Sequence, residues 1–322
     1  MKKSQVIGIL FLLLSASASQ VIGIPAANTG TTAGSVLKLE VDTRGMGMGK
    51  VFGIVSQSMA SSYSHPAGLA WFDNSVEYKK PYRVLSEFSY TDWLAGMKYS
   101  YVAAAVGLGE LGRIAFHNVC LISGEIERAD AQGNTIGKFD ASSVVAAVTW
   151  SKYLLKNVAV GINVKYLHEM VDTSFAPGMG VDIEGLLQTS DNCHFWSAAL
   201  RNLGIMGYTV SGVKFTPAEL RVGYTYIKKD VGYGKLVTVS EAVLASDNMP
   251  LFGLGFEYVF RNTMSLRVGY QYKLGGNDVQ SSITGLTLGT GAVFAGRVLF
   301  NYAYVPYGWL GEVHRISLGL RF

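Results

Sequence analysis

Charge is scarce in this 322-residue chain, where Asp, Glu, Lys and Arg together supply 16% of the residues. The formal net charge is +4, and two of those positive charges sit on Lys2 and Lys3 at the N-terminus. Too little remains to attract a polyanion, so nucleic acid is excluded as a partner. Long apolar runs are missing too. Beyond an N-terminal run from Val6 to Leu14, no stretch approaches the roughly 18 to 20 apolar residues that a spanning helix needs, although 49% of the chain is hydrophobic and the mean hydropathy is +0.25. The apolar content must therefore be spent in short segments. Cysteine is reduced to two residues, Cys120 and Cys193. One falls in an expected strand and the other at a turn of a different hairpin, so no disulfide is expected between them.

What is present at the N-terminus is a short cationic start, an apolar core and the small residues Ala16-Ser17-Ala18. This order reads as a secretory signal over residues 1–18, with the mature chain beginning near Ser19. No cysteine lies near that junction, which argues against a lipid anchor.

The last nine residues, HRISLGLRF, put Ile316, Leu318, Leu320 and Phe322 on one face of a strand and Arg315, Ser317, Gly319 and Arg321 on the other. A wholly apolar face opposite a partly charged one suits a wall with lipid outside and a polar lumen inside, and the terminal Phe322 is the expected barrel-assembly signal. With 38 Gly and 18 Tyr, the composition fits barrel strands with interfacial aromatic girdles. Alternating segments bounded by Gly, Pro, Asn, Asp and Ser number fourteen, from about Arg83 to the C-terminus. The segments LRVGYTY from Leu220 and LRVGYQY from Leu266 nearly repeat, which alternation against lipid explains without gene duplication. The fold expected is all-β: a transmembrane antiparallel barrel of about 14 strands over residues 83–322, in the outer membrane of a Gram-negative-type bacterium, with outer-membrane lipid and the barrel-assembly machinery as partners.

Connections alternate in length. Residues 124–141, 167–178 and 204–218 read as long loops, whereas 108–112, 152–157 and 260–263 read as tight turns. Long loops belong outside and short turns in the periplasm, so both termini are expected on the periplasmic side. Residues 19–82 precede the first strand. Up to Gly34 they are small and polar enough to be disordered, but from Val36 onward apolar residues and glycines mix as in a packed segment. A lumenal plug is expected, because a 14-strand barrel is wider than side chains alone would fill.

Several motifs carry less than they first suggest. GMGMG at Gly45, Gly47 and Gly49 is not a phosphate loop, since no crossover helix and parallel strand follow and Lys50 precedes Val51 rather than Ser or Thr. These glycines are read as letting the plug backbone pass close to the wall. The histidines, His65, His117, His168, His194 and His314, lack metal-ligand spacing, and nothing positions a nucleophile beside a base. No catalytic residue, metal or cofactor is expected. Among inward-facing polar positions, Arg221 and Arg267 are the candidates to meet a ligand carboxylate, a role that suits a bidentate guanidinium.

The segments TRGMGMGKVFGIVSQSMASSYSHPAGLA, FSYTDWLAGMKYSYVAAAV, GINVKY, ALRNLG, LRVGY and NYAYVPYGWLGEVHRISLGLRF occur in this order between Val36 and Phe322. They resemble those of PorV/PorQ-type outer-membrane proteins, a branch of the FadL superfamily. The resemblance implies a 14-strand barrel with an N-terminal lumenal plug carrying an Asn-Pro-Ala-Gly element. Here that element is His65, Pro66, Ala67 and Gly68, with His65 departing from the Asn. It also implies uptake or binding of hydrophobic small molecules such as long-chain fatty acids. The alternative is a PorV-like accessory role in type IX secretion or surface assembly, with secretion-system proteins as partners; a general hydrophilic porin ranks third, because a plugged lumen argues against it.

Overall fold

The computed structural model describes residues 30–51, 58–73, 82–208, 212–275 and 284–322. The signal expected at residues 1–18 lies outside them. The strands are β1 (Val84–Asp92), β2 (Lys98–Gly107), β3 (Arg113–Ala129), β4 (Thr135–Leu155), β5 (Val158–Val171), β6 (Ser174–Gln188), β7 (His194–Tyr208), β8 (Gly212–Phe215), β9 (Glu219–Val231), β10 (Gly234–Ala245), β11 (Leu251–Phe260), β12 (Met264–Lys273), β13 (Leu286–Phe294), β14 (Val298–Pro306) and β15 (Glu312–Arg321). Each pairs antiparallel with its neighbours, and β1 pairs with both β2 and β15, placing Phe88 opposite Leu318. β6 pairs with β7 and β7 with β9, which closes the ring. Phe322 sits at the seam, its N–H donating to the Val84 carbonyl at 2.9 Å and its carbonyl accepting from the Val84 N–H at 3.0 Å.

Fourteen strands form this wall among the described residues, because β8 is no separate stave. Ile205 faces Phe215 of β8 and Arg201 faces Glu219 of β9 in one unbroken register. β8 therefore extends the line of β9 after an interruption at residues 216–218. Opposite the break, the register between β6 and β7 shifts after Val181, and Asn202 has φ 55°. This is a β-bulge, which bends a strand and locally disrupts its ladder.

Alternation sets the two faces of the wall. On β15, Arg315, Ser317 and Arg321 are buried whereas Ile316 and Leu318 are exposed, and the same inversion runs through Phe88, Val102, Phe116, Val222 and Phe256 on the outside. Apolar side chains turned outward and charged ones turned inward are stable only where the outside is lipid. The molecule is accordingly a closed outer-membrane β-barrel.

The strands beyond the tight-turn end correct one expectation. Residues 124–141, 167–178 and 204–218 were expected as long loops but are largely continuations of β3 to β8: Ile126 pairs with Phe139, Met170 with Phe175, and Met206 with Lys214. Backbone pairing between adjacent antiparallel strands explains this, since each extension satisfies the other's N–H and C=O groups even where polar side chains dominate. One side of the barrel thus rises well above the rest, with the turn between β3 and β4 at its tip.

The mature N-terminus expected near Ser19 lies outside the described residues, and the described chain begins at Gly30. The C-terminus lies at the tight-turn end, as does the start of β1. Residues 30–33, however, lie at the opposite end: the Ala33 N–H donates to the Phe215 carbonyl at 2.9 Å, and Thr32 Oγ1 donates at 2.5 Å to Asp247, in the connection between β10 and β11. An even strand count fixes the ends of the barrel only, and says nothing about a preceding segment that crosses its interior. These residues were expected to be disordered on composition, and the same contacts fix them.

Candidate functional site

The described part of the N-terminal segment lies against the inward face of the wall. Val36, Leu37, Tyr63, Leu69 and Phe72 pack with Tyr99, Tyr101, Val145 and Leu167 on one side, and Met48, Val51, Ala67 and Trp71 pack with Leu186, Phe195 and Val237 on the other. Trp71 meets Phe195 edge-to-face at 5.1 Å between ring centres, a geometry worth about 0.5–1.5 kcal/mol beyond area burial.

Two backbone contacts use glycine on both partners. Asp42 caps the helical turn Thr43–Met46 by accepting from the Arg44 and Gly45 N–H groups, and the chain then runs along the wall. A Cβ on Gly47 would stand 2.9 Å from Gly289 Cα, and one on Gly49 2.7 Å from the Tyr270 nitrogen; Gly49 also has φ +78°. Its N–H donates to Thr287 Oγ1 at 2.6 Å. From the wall side, a Cβ on Gly269 would come within 2.0 Å of the Met48 carbonyl carbon. Only residues without a side chain permit so close an approach.

His65, Pro66, Ala67 and Gly68 form the second anchor. Glu184 of β6 receives the Ala67 N–H at 2.9 Å, and its other oxygen is 2.6 Å from His65 Nδ1. His65 Nε2 lies 3.4 Å from Glu241 of β10, so one imidazole spans two carboxylates on separate strands. Burial disfavours its charge, but Glu184 and then Glu241 outweigh that cost and hold the His65 proton up to about 9. The Gly68 N–H donates to the His65 carbonyl at 3.0 Å, and a Cβ on Gly161 of β5 would meet the Ala67 nitrogen at 2.2 Å. His65 thus makes this element a bridge between β6 and β10.

Both sequence-selected arginines have acidic partners, and each also borders a cavity, Arg221 the larger and Arg267 the smaller of the two described below. Arg221 lies 2.5 Å from Glu40, 3.0 Å from Glu219 and 3.6 Å from Glu241. Arg267 binds Glu257 at 2.7 Å and the Thr290 carbonyl at 2.9 Å, while Arg44 from the N-terminal segment binds the same Glu257 at 2.5 Å. Both arginines therefore help dock the segment. Sequence reading overlooked the acids Glu40, Glu184, Glu241 and Glu257, whereas Lys165, expected to face inward, does so and binds Asp182 at 2.6 Å and Asn202 at 2.8 Å beside the β7 bulge. Their signal was available: within GFEYVF, Glu257 occupies the face opposite the aromatics, as Arg267 does on β12.

The segment leaves a cavity of about 210 Å³ near the extended end, with Leu39, Met46, Trp93, Val243, Leu251 and Tyr307 among its lining. Lys50, in the left-handed region with φ 57°, holds its ammonium 4.2 Å over the Tyr307 ring at this site. A smaller cavity of about 40 Å³, bordered by Arg44, Lys235, Glu257 and Arg267, lies toward the tight-turn end. Among the described residues no group of three or more His, Cys, Asp or Glu residues could hold a metal ion, and both cysteines are free thiols.

No family model matches the sequence, and no curated protein matches it. Solved structures do match. The Pseudomonas putida toluene transporter TodX aligns with TM-score 0.58 at 11% identity over 87% of this chain and 96% of that one. The Ralstonia pickettii toluene transporter TbuX gives 0.56 at 13% identity over 88% and 98%, and a Pseudomonas aeruginosa FadL homologue 0.54 at 10% over 88% and 98%. At such identities the likeness is one of architecture, and the chain has the barrel fold of the FadL-type outer-membrane channels.

Proposed function

We propose that this protein is an outer-membrane uptake channel for hydrophobic small molecules, with residues 19–82 as a lumenal plug. The observation that carries the reading is the cavity of about 210 Å³ between the N-terminal segment and the wall, where Leu39, Met46, Trp93, Val243, Leu251 and Tyr307 offer an apolar surface beside a charged one that includes Lys38, Glu40, Lys50 and Arg221. Ligand sites are concave and combine apolar surface with polar groups that fix orientation, and this one is more polar than most. The volume falls below the roughly 300–1,000 Å³ of drug-sized sites. A single-ring or short-chain molecule suits it as it stands, and a long-chain fatty acid requires the plug to shift. Gly45, Gly47, Gly49, Pro66 and Gly68 are the proposed yielding points, and a shift there has to release the bonds of Gly49 to Thr287 and of Ala67 to Glu184. Passage needs no energy source, only partitioning and a displaceable obstruction. The resemblance to solved transporters supports a channel rather than an enzyme.

The test is binding of a fluorescent naphthalene-type probe and its displacement by toluene or oleate. Filling the cavity with Val243→Trp is expected to weaken binding at least about tenfold, or 1.4 kcal/mol. Unchanged affinity in a folded variant would reject the site.

A second reading, a PorV-like accessory that captures exported proteins, draws on the raised hairpin of β3 and β4. Asp130 accepts from the Asn134 side-chain amide, the Asn134 N–H and the Gln132 N–H in its turn, and those bonds hold its carboxyl below the usual range. Lys138 pairs with Glu125 at 2.6 Å along its sides. Deleting the tip while leaving probe uptake intact, with loss of surface assembly in the native host, would favour this second role.

A further inference from the structure

At the tight-turn rim, the turn between β9 and β10 and the turn between β11 and β12 enclose a recess of about 400 Å³. Its lining contains Lys229, Lys235 and Arg261, against a single acid, Asp230. Arg261 is held by aromatic faces, 5.4 Å from the Tyr233 ring centre and 5.1 Å from that of Phe260, and those two rings meet edge-to-face at 6.3 Å. Among the described residues no ion pair occupies Lys229 or Arg261. Such a guanidinium is oriented without being neutralised.

The recess is also positive from within. Lys235 and Asn262 line both it and the deeper cavity, where Arg44 and Arg267 share the one carboxylate of Glu257. Immediately outside, Met264 and Leu266 of β12 stand 62% and 68% exposed on the lipid-facing side, and Tyr233 is 74% exposed at the rim. Cations converging beside a lipid-facing apolar strip match an amphiphile whose head is anionic and whose chains lie along the wall.

We infer that this rim recess binds the phosphate headgroup of an anionic phospholipid from the inner leaflet, with Lys229 and Arg261 as its cationic ligands. Met264 and Leu266 carry the acyl chains. This inference requires the outer-membrane setting with the tight-turn rim on the periplasmic side, and is independent of the uptake reading.

The experiment is native mass spectrometry of the full-length mature protein titrated with phosphatidylglycerol, phosphatidylcholine of the same acyl chains, or glycerol 3-phosphate. Wild type is expected to retain phosphatidylglycerol over phosphatidylcholine. Lys229→Gln combined with Arg261→Gln should lower that retention roughly thirtyfold, two basic residues near a charged membrane surface being worth about 1 kcal/mol each. The charge-keeping pair Lys229→Arg with Arg261→Lys should restore most of it, which separates loss of charge from loss of folding. Equal retention of both lipids by wild type, or an undiminished preference in the glutamine pair, would overturn the site. Occupancy by glycerol 3-phosphate without lipid preference would overturn the lipid assignment in favour of a soluble phosphate.

Discussion

His65 and Glu184 meet inside the barrel with Nδ1 2.6 Å from Oε1, and neither side chain reaches solvent. The pair ties a segment that precedes the first strand to β6 in the middle of the wall. A buried pair of this kind is costly to break from one side, because the remaining charge keeps its desolvation penalty. Glu184→Gln is therefore expected to destabilise the protein by roughly 3–5 kcal/mol, read as a lower denaturant midpoint in urea followed by tryptophan fluorescence. An unchanged midpoint would show that the bridge contributes nothing net.

The same histidine sets a pH dependence. Its proton is held up to about 9 in the folded protein, above the ordinary value of 6.5. A raised folded value means that the stabilisation is fully present below pH 6.5 and is lost as pH rises through about 9. Thermal midpoints are expected to fall between pH 6.5 and 10 in wild type, and His65→Gln should flatten that slope. A parallel decline in both proteins would assign the effect to another group.

Gly269 and Met48 define the closest approach of segment to wall. Gly269→Val would drive a side chain into the Met48 carbonyl region, which lies 2.0 Å from the added Cβ. Backbone cannot yield there as a side-chain tip can, so the segment is expected to leave its seat while the barrel still closes. Limited proteolysis should then cut within residues 43–51 although heat-modifiable gel mobility persists. Full protection of that stretch would mean that the wall, and not the segment, gives way.

The position of Gly30 predicts sidedness. With Cys120 and Cys193 replaced by Ser, Gly30→Cys should react with a membrane-impermeant maleimide in intact cells, since residues 30–33 lie at the raised end. A Cys193-only protein supplies the opposite control, because that residue sits in a tight turn between β6 and β7. Labelling of Cys193 and not of position 30 would reverse the orientation.

The alternating segments were legible because lipid and lumen impose a period of two on every stave. LRVGYTY and HRISLGLRF each reveal which residues face out. The raised strands were not legible, because polar stretches such as GEIERADAQGNTIGKFDA pair through backbone groups that carry no sequence signature. The inward arginines were found as positions but not as partners. Glu40 and Arg221 are 181 residues apart, and only closure of the ring brings them to 2.5 Å.

By itself the sequence determined a strand-built wall with charge inside and apolar side chains outside, and a glycine-rich segment before it, since both follow from local pattern and the energetics of burial. Tertiary structure alone decided that Glu257 is shared by Arg44 and Arg267, that His65 bridges β6 and β10, and that residues 30–33 end opposite the C-terminus. Those relationships join residues far apart in the chain, and their geometry exists only once the barrel has closed around the segment.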